Sequence, residues 1–201
     1  MEEKVIIAGP ETLEGRFGPG TQGGVIITHP HPLYGGDLDN TVVWTAARAF
    51  QARKLATLRF NFRGVGESSG TYGEGRGEIE DLAAALEFLK TRTAGPCYVA
   101  GYSFGAYVAA QALLNGLEVQ GAVLISPPVA FMPMPFLPRT PRLALIIAGD
   151  RDEICPLTAL RQLLAQGPAP VELAVIPGAD HFFGGQEEEL FRVLTDCPLN
   201  E

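Results

Sequence analysis

Ser103 lies between two glycines in Gly101-Tyr102-Ser103-Phe104-Gly105. A serine in this setting is a candidate nucleophile, because G-x-S-x-G places the hydroxyl on a sharp strand-to-helix turn. The context fits. The apolar run Cys97-Tyr98-Val99-Ala100 precedes the turn, and a helical pattern from Ala106 to Leu114 follows it. Side chains at 101 and 105 would collide with neighbouring backbone in so tight a turn. The new helix points its free N–H groups at the same spot. With four serines and 24 glycines in 201 residues, random placement gives about 0.06 matches to the five-residue pattern. The competing reading is a glycine-rich turn with an idle serine.

A hydroxyl needs a base to take its proton. The chain has three histidines, His29, His31 and His181. His181 sits in Pro177-Gly178-Ala179-Asp180-His181, a loop after the last apolar run, and is the expected base. His29 and His31 precede the serine, and His29 reads as a hydrogen-bonded structural residue. The base needs a carboxylate to hold its tautomer. Asp152 in Gly149-Asp150-Arg151-Asp152 is the expected acid, with Asp150 as a turn residue. Asp180 is the alternative by proximity, although adjacent residues rarely orient each other. The order Ser103, Asp152, His181 is that of a nucleophile-elbow hydrolase. An oxyanion site would take one donor from the Phe104 N–H. The second would come from His29-Pro30-His31-Pro32-Leu33-Tyr34-Gly35-Gly36. Prolines have no N–H, which leaves His31 and Leu33.

These residues need a scaffold that brings loops to one end of a sheet. Apolar runs predict strands at 4–8, 12–17, 23–28, 55–60, 97–101, 119–125, 143–148 and 171–176. Helical patterns fall at 40–53, 77–91, 104–115, 156–165 and 186–196. Val25-Ile26-Ile27, Val123-Leu124-Ile125 and Leu145-Ile146-Ile147 are continuous, as expected of strands buried on both faces. The alternation from residue 23 onward predicts an α/β fold, a doubly wound, mostly parallel sheet with helices on both faces. The first two strands have no helix between them and are expected to form an antiparallel edge. Catalytic groups would then gather beyond the carboxyl ends of the strands. The proline-rich segment 126–141 excludes a helical lid. Its Phe131, Met132 and Phe136, with Tyr34 and Tyr102, are candidates for an apolar substrate wall.

Composition narrows the partners. The length fits one domain spanning 1–201. The net charge of −8 and the lack of a basic patch argue against nucleic acid and anionic membrane. No apolar stretch approaches the roughly 18 residues that span a bilayer, and the first residues lack a signal-peptide pattern. Cys97, Cys155 and Cys197 fit no disulfide or zinc spacing. A cytoplasmic protein is expected, with no metal or cofactor and with a homodimer possible at the sheet edge. The glycines at 64, 66 and 70 do not have dinucleotide-binding spacing. Arg63 is expected to brace loops near the site.

Together, Thr28-His29-Pro30-His31, Asn61-Phe62-Arg63-Gly64-Val65-Gly66-Glu67-Ser68, Gly101-Tyr102-Ser103-Phe104-Gly105, Gly149-Asp150-Arg151-Asp152 and Gly178-Ala179-Asp180-His181 resemble the α/β-hydrolase superfamily. The resemblance covers nearly the whole chain. The His-Pro-His-Pro-Leu-Tyr-Gly-Gly run is similar to small bacterial hydrolases without a large lid, related to dienelactone hydrolase and carboxylesterases. This implies that the second aspartate of Gly-Asp-x-Asp, Asp152, serves the triad, and that an oxyanion donor lies near His31. The sequence departs from the family in two places. The usual His-Gly is His29-Pro30, and position 103 is serine where dienelactone hydrolase uses cysteine. The expected activity is hydrolysis of small-molecule carboxylic esters with short or medium acyl chains. A peptidase or amidase on the same residues is the second expectation, and a non-catalytic binding protein with this fold the third.

Overall fold

Alternate residues of each central strand feed two different cores, which explains the unbroken apolar runs. In a computed structural model describing residues 2–199, eight strands form one sheet. They are β1 (Glu3–Ala8), β2 (Thr12–Gly18), β3 (Gly24–Thr28), β4 (Ala56–Phe60), β5 (Cys97–Tyr102), β6 (Gly121–Ile125), β7 (Leu143–Gly149) and β8 (Glu172–Ile176). Five helices connect them: α1 (Thr41–Ala52), α2 (Arg76–Arg92), α3 (Phe104–Leu114), α4 (Leu157–Leu164) and α5 (Glu187–Asp196). Ile26, Val99, Leu124 and Ile146 pack with residues of α2, α3 and α4 on one face. Val25, Ile27, Tyr98, Val123 and Ile147 pack with α1 and α5 on the other. A strand period of two therefore places every apolar residue of the run in contact with helices.

The strand order is β1-β2-β4-β3-β5-β6-β7-β8. β1 pairs antiparallel with β2 and β2 antiparallel with β4, giving the expected edge. The pairs from β4 through β8 are parallel. After β3 the chain moves to β4 on one side, then returns to β5 on the other. This reversal opens a crevice beyond the carboxyl ends of β3 and β5, where such folds bind ligands. Every predicted element is present, with ends moved by no more than two residues. The sequence reading missed two short 3-10 turns, Pro32–Tyr34 and Leu137–Arg139. The segment 126–141 forms no lid. Among the described residues no helix is long and apolar enough to cross a membrane.

Helix α2 carries two carboxylates on its buried side. Glu78 and Asp81 are fully buried. Asp81 holds Arg63 through both carboxylate oxygens and also accepts the Arg63 N–H. The Arg63–Asp81 hydrogen bond holds the guanidinium charged, its pKa above the ordinary value. Glu78 accepts the N–H groups of Gly73 and Gly75, each at 2.8 Å. Both carboxylates clamp the long loop after β4 onto the helix.

Candidate active site

Ser103 closes β5 in a strained conformation, φ 53° and ψ −116°. The strain is of the kind found at functional turns. Its N–H is tied to Ile125 O at 2.9 Å, which fixes the turn to β6. A Cβ at Gly101 would lie 2.5 Å from Gly105 O. One at Gly105 would lie 2.5 Å from Thr28 Oγ1 and 2.8 Å from His29 O. Position 105 must be glycine so that β3 can pass close over the start of α3.

Three side chains from three loops meet here. His181 Nε2 lies 2.9 Å from Ser103 Oγ. His181 Nδ1 lies 2.9 Å from Asp152 Oδ2 and 3.0 Å from Oδ1. All three residues are buried. A carboxylate at Nδ1 requires the proton there, which leaves the Nε2 lone pair facing the serine hydroxyl. Asp152 Oδ1 also accepts the N–H groups of Ile154 at 2.8 Å and Cys155 at 2.7 Å. Burial alone would raise the Asp152 pKa. The His181 hydrogen bond and charge, the Cys155 N–H and the nearby Ser126 hydroxyl outweigh burial and hold it below the ordinary value. Ser126 closes β6 with φ 45°, is fully buried, and makes no hydrogen bond of full geometry. Asp150 instead accepts the Gly178 N–H at 2.7 Å, and Asp180 the Phe182 N–H at 2.9 Å. Both act as turn residues.

The loop after β3 forms the other wall. His29 is fully buried. Its Nε2 accepts the Phe62 N–H at 3.0 Å, so Nδ1 carries the proton and donates to Pro30 O at 2.6 Å. Burial pushes its pKa down to about 4. His31 Nδ1 accepts the Leu33 N–H at 3.2 Å. Among the described residues, the N–H groups of His31 and Phe104 donate to no protein acceptor. Both are available for a developing negative charge.

Residues 40–144 match the family described as serine aminopeptidase, S33. A serine hydrolase homologue from Coxiella burnetii is 38% identical and superposes with a TM-score of 0.88, covering 96% of this chain and 95% of that one. An α/β serine hydrolase without a lid, from Xanthomonas campestris, is 32% identical with a TM-score of 0.88, covering 96% and 91%. An uncharacterized protein of Rickettsia prowazekii is 34% identical over 207 residues, 96% of this chain and 87% of its own length. The chain belongs to the α/β-hydrolase superfamily. It is a member of the lid-less serine hydrolases, and hydrolysis is the activity its family and fold support.

The structure corrects two expected roles in this hydrolase. Leu33 cannot serve as the second oxyanion donor while its N–H is committed to His31 Nδ1. Tyr102 cannot line a substrate wall. It is 1% exposed, and its hydroxyl donates to His181 O at 3.0 Å, anchoring the histidine loop. A tyrosine beside the nucleophile looked like a pocket residue because the sequence does not reveal which way the strand turns it. The remaining wall candidates divide. Tyr34 and Phe131 are 86% and 71% exposed, and so are Leu33 and Phe182 in large part. Met132 and Phe136 are half-buried against the core, Phe136 on the Tyr107 ring. Arg63 braces the loop after β4 through α2, as its position suggested. Cys155 beside the acid is buried, and burial pushes its thiol pKa up. A cleft of about 800 Å³ lined by Gln22, Arg53, Lys54 and Tyr98 lies at the opposite end of the sheet, away from these groups. Sequence reasoning missed Ser126 beside Asp152 and Tyr72, whose hydroxyl lies 3.1 Å from His31 Nε2. Each is an ordinary residue type outside any motif.

Proposed function

We propose that this hydrolase cleaves carboxylic esters of small molecules with short or medium acyl chains, through an acyl-enzyme on Ser103. The observation that carries the proposal is the hydrogen-bond chain from Asp152 through His181 to Ser103 Oγ. His181 Nε2 takes the hydroxyl proton as Oγ attacks the ester carbonyl. The tetrahedral oxyanion then takes hydrogen bonds from the N–H groups of Phe104 and His31. His181 returns the proton to the leaving alcohol. In the second half, His181 deprotonates a water that releases the acid. Asp152 stabilises the imidazolium each time. The exposed apolar side chains Tyr34, Phe131 and Phe182 on loops at this end support an apolar substrate reaching an open site.

Amide or peptide cleavage is the second reading, favoured by the family's description as serine aminopeptidase. One experiment decides. The protein and its Ser103→Ala variant are treated with a fluorophosphonate probe, then given matched p-nitrophenyl esters and anilides of increasing chain length. Labelling that depends on Ser103, with esters turned over far faster than anilides, is expected. No labelling of the unmodified protein would sink the proposal. Equal rates on both series would favour the amidase, and turnover of long-chain triglycerides alone would refute the chain-length claim.

A further inference from the structure

We propose that the His31 imidazole is a positioning residue that sets the separation of the two oxyanion N–H groups, its own and that of Phe104. This rests on the hydrolase reading above. The ring belongs to the residue that supplies one donor and packs on the side chain of the residue that supplies the other. Its centroid lies 4.8 Å from the Phe104 ring, 4.7 Å from Tyr34 and 5.0 Å from Tyr72. The Leu33 N–H makes Nδ1 an acceptor, so in the neutral ring Nε2 carries the proton. Nε2 then donates to Tyr72 Oη at 3.1 Å. Both ring nitrogens are therefore engaged, and the ring cannot flip without losing both bonds.

The contacts close a circuit. Tyr72 lies in the loop that Glu78 clamps through Gly73 and Gly75. Gly75 has φ 86°, and a Cβ there would lie 2.9 Å from Tyr107 Cε1. Tyr107 in turn stacks on Phe104 with centroids 6.4 Å apart. His31, Tyr72, Gly75, Tyr107 and Phe104 thus form a ring of contacts joining the loops after β3 and β4 to the start of α3. Burial holds the His31 pKa below its ordinary value, although Glu78 opposes this. The neutral form is the one that can accept the Leu33 N–H. This bond also keeps the Leu33 N–H from competing for the oxyanion.

The effect should appear in the transition state and not in ground-state binding. His31→Ala is expected to lower kcat by about 10–100-fold on a reactive ester, as misplaced oxyanion donors do. KM should stay within about threefold. His31→Asn keeps an acceptor for the Leu33 N–H but no ring, and should remain impaired. Tyr72→Phe, which leaves ring and cap in place, should cost less, on the order of fivefold in kcat. It is also the variant to read if position 31 cannot be changed without unfolding. Nitrogen-15 NMR of the resting protein should show the proton of His31 on Nε2. An unchanged kcat in His31→Ala, full rescue by asparagine, a loss in KM alone, or a proton on Nδ1 would each overturn the proposal. If the unmodified protein neither hydrolyses esters nor takes the fluorophosphonate, the hydrolase reading fails and the proposal with it. The NMR result would still report whether the ring geometry was correct.

Discussion

Lowering the pH from 7 should destabilise this hydrolase through His29, well before its carboxylates protonate. The folded protein holds the imidazole neutral, with a pKa of about 4 against an ordinary 6.5. The cause is burial, because the charged ring would lose its water in a fully buried position beside Phe62. A proton on Nε2 would also face the Phe62 N–H that now donates to it. The unfolded chain binds the proton first, so the contribution is complete above pH 6.5 and is lost as the pH falls toward 4. Linkage makes the loss about 1.4 kcal/mol at pH 5.5 and about 2.5 kcal/mol at pH 4.5. The measurement is urea unfolding followed by circular dichroism at pH 7, 5.5 and 4.5, on the protein and its His29→Asn variant. Asparagine can accept the Phe62 N–H but does not titrate. The variant should be weaker at pH 7, and its deficit should shrink by about 2.5 kcal/mol at pH 4.5. His31 and the carboxylates titrate in both proteins and cancel in the difference. A deficit that does not change with pH would refute the reasoning. It would mean that His29 is not the buried neutral strut between the loops after β3 and β4.

Two further predictions concern the proposed nucleophile and its proposed acid. Ser103→Gly should be more stable than Ser103→Ala by about 1–3 kcal/mol in thermal or chemical unfolding, because glycine tolerates φ 53°. Equal stability would show that the turn carries no strain. Asp152→Asn should lower kcat by about 10⁴-fold with the fold intact, since an amide can present its NH₂ to Nδ1 and hold the wrong tautomer. A drop below tenfold would remove Asp152 from the mechanism.

The elements were legible because the central strands alternate between two apolar cores, and the helices are either apolar on one face or, like α3, buried nearly all round. The turn at Ser103 was legible because it needs glycine at two fixed places. The polar residues that tie loops together were not. Glu78 and Asp81 fall on the buried stripe of α2 with Leu82, Ala85 and Leu89, where residue type alone would assign carboxylates to solvent. They are buried because the loop after β4 offers them backbone N–H groups and a guanidinium, which a helical pattern cannot reveal. Leu33 illustrates the same limit. Excluding the prolines left two donors, and only the fold shows that the side chain two residues back had already taken one of them.

Long-range hydrogen bonds hold the loops at the carboxyl end of the sheet. His29 binds the loop after β4, His31 binds Tyr72 in that same loop, and Tyr102 binds the carbonyl of His181. Ser126 and Ser103 close neighbouring strands, both with positive φ, and their N–H groups tie each strand end to the next. Each bond joins a strand end or loop to a different strand or loop at the carboxyl end of the sheet. A buried polar group without a partner costs about 1–3 kcal/mol. Loops joined in this way are therefore expensive to displace singly. Such rigidity suits a site without a lid. Among the described residues the segment 126–141 forms no lid, so the proposed mechanism needs the Phe104 and His31 N–H groups and His181 to be in place beforehand.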